Sequence, residues 1–341
     1  MKTYKISIIR GDGIGPEVIA AAEKVIEKVE EAFSLSFEKI YVEAGLEAYK
    51  KYGTNLPSSS LELIKQSQCL LKGPTTSLEG EGTELGVPVK IRKIFDLYAN
   101  LRPIKSFPRV RSLYEGLDIL IVRENTEGMY SGLEFALADG INVGIRLSTE
   151  KGARRIIRRA FEEAKKRRKK VTLGHKANVL KLTDGLYKKV FEDLLKEYPE
   201  VQGTEEHIDA LSMKLVMNPY SYDVIVLENL YGDIVSDLAA GLVGGLGLAP
   251  SANVGDNFAM FEPIHGSAPD IAGKWIANPI ATILSFSMCL NWLGEEKASR
   301  AVESAVVEVL NEGKKLTRDL GGSAGTLDLA LEIANKISPN Q

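Results

Sequence analysis

Residues 222–237, YDVIVLENLYGDIVSD, decide how this chain is read. Val224, Ile225, Val226 and Leu227 form a short apolar run of the kind made by a parallel-sheet strand. Gly232 then frees the backbone to turn. On the helix after it, Asp233 and Asp237 stand four residues apart, so both carboxylates project from one face within reach of one ion. Hard carboxylate oxygens suit Mg²⁺ or Mn²⁺, which would keep positions open for water and substrate oxygens. The competing reading is a helix N-terminus that favours Asp for its dipole, followed by a solvated second Asp.

The pattern recurs upstream. Residues 117–122 are another buried-strand run, and LDILIVRENTEGMY (117–130) echoes YDVIVLENLYGDI in placing Glu-Asn and a glycine turn after the strand. Both motifs thus sit at strand ends, where open α/β sheets bind ligands. Arg123 ends that strand, Arg92 lies on a helical stretch at 89–97, and Arg102 lies in ANLRP at 99–103. Guanidinium forks match carboxylates bidentately, so three arginines near strand ends point to a polycarboxylate. A strand at 171–173 delivers HKANVLKLTDG (175–185), where Lys176 is either a surface lysine or a base whose pKa a nearby cation lowers. Asp209 falls on a helix whose apolar side carries Ile208, Leu211 and Leu215.

At the start, residues 4–9 alternate as a strand, Gly11, Gly13 and Gly15 follow, and Pro16 opens a helix to about Ala32. The spacing is G-x-G-x-G, with no acidic residue ending a second strand about 20 residues on, so the dinucleotide fingerprint is not met. A tight turn that brings a loop close to a ligand, or a purely structural turn, remains. A strand at 37–42, a helix at 61–66 and a strand at 69–71 lead into a long polar loop, Lys72 to Gly86, with hydroxyls at Thr75, Thr76, Ser77 and Thr83 and three glutamates. Loops of this length are usually functional or disordered. Residues 149–170 read as a helix whose KKRRKK end is a solvated C-terminus complementing the dipole, in preference to a nucleic-acid patch. The segment 261–279 has three prolines and no hydrophobic period, the mark of an ordered ligand-contacting loop, and its His265 has no Cys or His nearby to share a zinc ion. From 279 to 337 the chain is helical with a break at Gly321 and Gly322.

A length of 341 residues suits two lobes or one large α/β unit, and 44% hydrophobic content supports a real core. A net charge of −3 argues against nucleic acid or a membrane surface as partner. The two cysteines, Cys69 and Cys289, lie in apolar surroundings and give neither a disulfide framework nor a zinc spacing, so a cytoplasmic location is expected. The N-terminus reads as a strand, not a signal peptide, and no run of about 18 apolar residues would span a membrane.

Taken together, GDGIGPE (11–17), ANLRP (99–103), RENTEGMY (123–130), HKANVLKLTDG (175–185), ENLYGDIVSD (228–237) and the 261–279 loop resemble the β-decarboxylating dehydrogenases, which act on isocitrate, homoisocitrate and 3-isopropylmalate. The resemblance implies a two-lobed, non-Rossmann α/β fold with a shared twisted sheet. Residues 1–100 and 255–341 would form a large cofactor-binding domain, and 101–254 a small domain making the dimer contact. By matching motif, Arg92, Arg102 and Arg123 would grip the malate carboxylates with Val89 beside them. Asp233 and Asp237 would hold Mg²⁺ or Mn²⁺ with Asp209 of a neighbouring subunit, and Tyr130 and a neighbour's Lys176 would be acid and base. NAD would lie against Thr76, Glu262, His265, Gly266, Ala268, Asp270, Ile271 and Asn278, with the Asp270 carboxylate repelling the 2′-phosphate of NADP. Shared sites imply a homodimer or a dimer of dimers. Loop length favours homoisocitrate or isocitrate as substrate. A wall of Leu85, Val87, Pro88 and Val89 favours 3-isopropylmalate instead, and a catalytically silent regulatory subunit would be expected to have lost one of the site residues, none of which is lost here.

Overall fold

The structure, a computed structural model, describes residues 2–80 and 82–339; one glutamate of the polar loop, Glu81, lies outside them. The strands are β1 (Lys2–Ile9), β2 (Leu35–Tyr41), β3 (Cys69–Lys72), β4 (Ala99–Lys105), β5 (Asp118–Glu124), β6 (Gly128–Ala138), β7 (Ile141–Leu147), β8 (Lys170–His175), β9 (Gln202–His207), β10 (Val224–Leu227), β11 (Pro250–Val254) and β12 (Ala259–Pro263). The helices are α1 (Gly15–Phe33), α2 (Leu46–Tyr52), α3 (Ser58–Ile64), α4 (Val87–Ile94), α5 (Glu150–Lys165), α6 (Thr183–Leu195), α7 (Ile208–Met217), α8 (Asn229–Leu242), α9 (Ile280–Trp292), α10 (Glu296–Glu312) and α11 (Thr326–Lys336).

Ten strands form one mixed sheet in the order β2-β1-β3-β12-β11-β4-β5-β10-β8-β9. The run 224–227 becomes β10, fully buried and parallel to β5 and β8, as its unbroken apolar character requires. β4 and β11 run antiparallel to their neighbours in mid-sheet. They stand where the expected boundaries at 100 and 255 fall, so the sheet passes without a break from one half of the chain to the other. α9 is covered on nearly every face and packs on β11 and β12.

Several local expectations are corrected. Gly232 is not a turn before the helix. α8 already starts at Asn229, capped by the Glu228 carboxylate accepting the Leu230 N–H, and Gly232 lies in its first turns. Its lack of a side chain makes room for Arg123, whose Cγ would lie 2.5 Å from an added Cβ. KKRRKK is not simply a solvated helix end. α5 stops at Lys165, Arg167 pairs with Asp118 and Asp223 at 2.8 Å each, and Lys170 already belongs to β8. The exposed hairpin β6–β7, turned at Asp139-Gly140 with Gly140 at φ +71°, was not anticipated.

The glycine turn after β1 packs against two loops. Gly11 and Gly13 adopt positive φ, and a Cβ on either would lie 2.0 Å from the carbonyl oxygen of Pro74 or Ser267. Between them Asp12 accepts the Thr76 N–H at 2.8 Å. The turn therefore braces the polar loop and the 261–279 loop against each other.

Candidate active site

Strand ends and the start of α8 converge on a cavity of about 290 Å³. Arg123, at the end of β5, is 1% exposed; its Nε donates to the Asn229 carbonyl at 2.9 Å, its Nη2 to the Asn229 side chain at 2.8 Å, and its Nη1 to Asp233. Arg102, on β4, donates to Ser236 Oγ at 2.5 Å and to Asp233 at 3.2 Å, and lies 3.7 Å from Asp237. Tyr130, on β6, donates its hydroxyl to the other Asp233 oxygen and stacks against Arg123, 5.0 Å from ring centre to guanidinium. One carboxylate thus gathers two arginines and a phenol.

Charge and burial set the titration of this group. Burial would raise Asp233, but Arg123, Arg102 and the Tyr130 hydroxyl together hold it below the usual carboxylate range. Asp237 goes the other way, because its burial outweighs Arg102. Tyr130 is pushed up, first by burial and then by the Asp233 hydrogen bond, so it stays protonated and able to donate.

The cavity floor is a second buried ion cluster. Glu262 accepts Arg92 Nη2 at 2.9 Å and Asn253 Nδ2 at 2.9 Å, and lies 2.8 Å from Lys72 Nζ. Burial alone would raise its pKa; Lys72 and Arg92 bring it down to about 2. Lys72, Ser236, Asn229 and Asn253 were missed by sequence reasoning. Lys72 had a signal, a lone charge closing an apolar strand; Ser236 and Asn229 bond arginines more than a hundred positions away in the chain, and Asn253 meets Glu262 only through the pairing of β11 with β12.

Of the loop hydroxyls, Thr75 and Ser77 line the cavity, whereas Thr76 binds Ser267 and Thr83 closes its own turn onto Gly80. Of the apolar wall, Pro88 and Val89 line it; Val87 is buried in the core and Leu85 is exposed. A second cavity of about 590 Å³ shares His265 and Gly266 with the first and is lined by Ala268, Ile271 and Asn278, and also by Arg318 and Asp319, which were not anticipated. Burial pulls His265 down toward the neutral imidazole. Three expected cofactor residues lie apart from this second cavity: Asp270 is exposed, Thr76 is held against Ser267, and Glu262 belongs to the floor of the first.

Lys176 and Asp209 do not join the cleft of their own chain. They pair with each other at 2.7 Å, on the turn after β8 and at the start of α7. Among the described residues no group of three His, Cys, Asp or Glu side chains is arranged to hold a metal. Asp233 and Asp237 nevertheless fit a hard divalent ion. Both are oxygen donors one turn apart and partly exposed, Asp233 lines the cleft, and among the described residues Asp237 has a single ion-pair contact, Arg102 at 3.7 Å, to balance its charge.

Buried arginines over paired carboxylates, beside a cleft continuous with a second cavity, define an enzyme site for small carboxylates. The chain belongs to the isocitrate/isopropylmalate dehydrogenase family, whose profile matches residues 5–335. It is 49% identical over 339 residues to the 3-isopropylmalate/3-methylmalate dehydrogenase of Methanocaldococcus jannaschii, covering 98% of this chain and 99% of that one. It is 46% identical over 346 residues to the homoisocitrate dehydrogenase of the same organism, covering 98% and 97%. The crystal structure of isocitrate dehydrogenase from Methylococcus capsulatus superposes with a TM-score of 0.92 at 44% identity, covering 98% and 99%. The protein is therefore an oxidoreductase of the oxidative-decarboxylase type. The family generally uses NAD and a divalent metal and is typically homodimeric. The relatives do not bear out the leaning toward homoisocitrate; those named for 3-isopropylmalate predominate.

Proposed function

We propose that this protein is an NAD-dependent 3-isopropylmalate dehydrogenase. The observation that carries the choice of substrate is the distribution of cations in the cleft. Arg92, Arg102 and Arg123 can take the two malate carboxylates, and Lys72, 1% exposed, shares Glu262 with Arg92, so that the cluster carries one net positive charge. A third carboxylate would face Pro88 and Val89 with only Thr75 and Ser77 as neutral donors, whereas a branched apolar substituent fits that wall. The buried Thr75 hydroxyl, without a hydrogen-bond partner among the described residues, favours a polar substituent and keeps homoisocitrate as the second reading.

Asp233 and Asp237, with Asp209 of the partner subunit, would hold a divalent cation, which would supply Lewis-acid stabilisation of charge on the C2 oxygen. The three arginines orient the substrate. Lys176 of the partner subunit would take the C2 hydroxyl proton, bound NAD would supply the hydride acceptor for C2, and the carboxylate on C3 would leave as CO₂. Tyr130, kept protonated by burial, returns a proton to C3. His265, Gly266, Ala268, Ile271 and Asn278, which line the second cavity, are the residues that would hold NAD. Exposed apolar side chains on the hairpin, Leu133, Phe135, Leu137 and Ile141, support a homodimer through this part of the chain. The test is NADH formation with Mg²⁺ on 3-isopropylmalate, homoisocitrate and isocitrate. A kcat/KM at least tenfold higher for 3-isopropylmalate is expected, and a preference for either tricarboxylate overturns the assignment.

A further inference from the structure

The backbone of Lys176 is held by a buried carboxylate. Asp184, 1% exposed in the first turn of α6, accepts the Lys176 N–H through Oδ2 at 2.5 Å. Its Oδ1 lies 2.6 Å from Nη2 of Arg146 on β7, and that Nη2 lies 3.4 Å from Glu228 Oε2. Arg146 is steadied by Tyr231, whose hydroxyl accepts from Nη1 at 3.1 Å and whose ring centre lies 4.8 Å from the guanidinium. Neither Asp184 nor Arg146 lines the cleft. Ions buried this deeply incur a desolvation penalty that only close, well-placed partners offset.

The geometry beyond Asp184 shows what is being held. The N–H groups of Val179 and Leu180 return to the Lys176 carbonyl at 2.9 and 2.8 Å, so the peptides on both sides of Lys176 are pinned. The side chain then has only its own torsions to search.

We propose that Asp184 is a positioning residue for Lys176, with Arg146 holding Asp184 in place, and that the pair acts on the partner subunit's cleft and not on its own. This rests on the shared-site reading above. Loss of the pin lowers kcat about 10- to 100-fold, the scale of a misplacement near 1 Å. KM changes by no more than a few-fold, since the arginines that grip the substrate are untouched.

The test is subunit complementation. Asp184→Ala and Asp237→Asn chains carrying different tags are co-expressed and the mixed dimer is isolated through both tags. One of its two clefts then has an intact Asp237 from the first chain and a correctly held Lys176 from the second. About half the wild-type kcat per dimer is expected, well above either parent. If the mixed dimer is as slow as its parents, Asp184 serves its own subunit and the proposal falls; wild-type kcat in the Asp184→Ala homodimer overturns it as well. A Lys176→Ala and Asp237→Asn mixture tests the shared-site reading separately, because it recovers half the activity whatever Asp184 does. Should Asp184→Ala not fold as a homodimer, Arg146→Lys takes its place with the same outcomes.

Discussion

Replacing Glu262 by Gln removes one negative charge from between two buried cations. Lys72 is 1% exposed and Arg92 7%, and both lie within 3 Å of the carboxylate. Breaking a buried ion pair by removing one partner costs about 3–5 kcal/mol. Proton linkage gives a similar figure independently, since a carboxyl held at about 2 against an ordinary 4.5 corresponds to about 3 kcal/mol. The sign follows from the depressed pKa: the contribution is complete above about pH 4.5 and is lost as pH falls toward 2. Urea unfolding of wild type and Glu262→Gln at one fixed protein concentration, at neutral pH and in steps down to pH 3, reads both the size and the slope. The gap should be about 3 kcal/mol at pH 7 and should shrink steadily below pH 4.5. A gap under 1 kcal/mol, or one that does not change with pH, would refute the view that this carboxylate works as a buried counter-ion.

Gly232→Ala puts a methyl 2.5 Å from the Arg123 side chain, so overpacking of about 1–3 kcal/mol is expected. KM should rise with little change in kcat, measurable in the same preparation. Asp233→Asn and Asp237→Asn should both abolish turnover supported by Mg²⁺ but separate in thermal unfolding. Asp233 balances two buried arginines, whereas half-exposed Asp237 has one 3.7 Å contact whose loss costs under about 1 kcal/mol. Equal losses of stability would contradict the charge map drawn here. Cys69 and Cys289 are fully buried with their sulfurs 3.3 Å apart, and this contact first, then burial, pushes the Cys289 thiol up. Neither should react with an aromatic disulfide reagent in the native protein at pH 8, and both should react in denaturant.

What the sequence made legible follows a physical division. Strand β10 and the i, i+4 pair on α8 could be read because their determinants are local: an unbroken apolar run, and helical geometry that fixes two side chains on one face. The three arginines were legible as a group for the same reason, each closing or following a recognisable element. The partners that orient them were not. Asn229 and Ser236 hold Arg123 and Arg102 across more than a hundred residues of chain, and Lys72 meets Glu262 only because β3 and β12 are neighbours in the sheet. Substrate choice fails by the same logic. Loop length was taken as a sign of a polar pocket, but once the loop is folded half of its hydroxyls serve the loop and its brace: Thr76 ties it to Ser267, and Thr83 closes its own turn. Specificity depends on which side chains a loop turns inward, and that is settled by what the loop packs against. Here the glycine turn at 11–15 does part of that packing, closing against the carbonyls of Pro74 and Ser267.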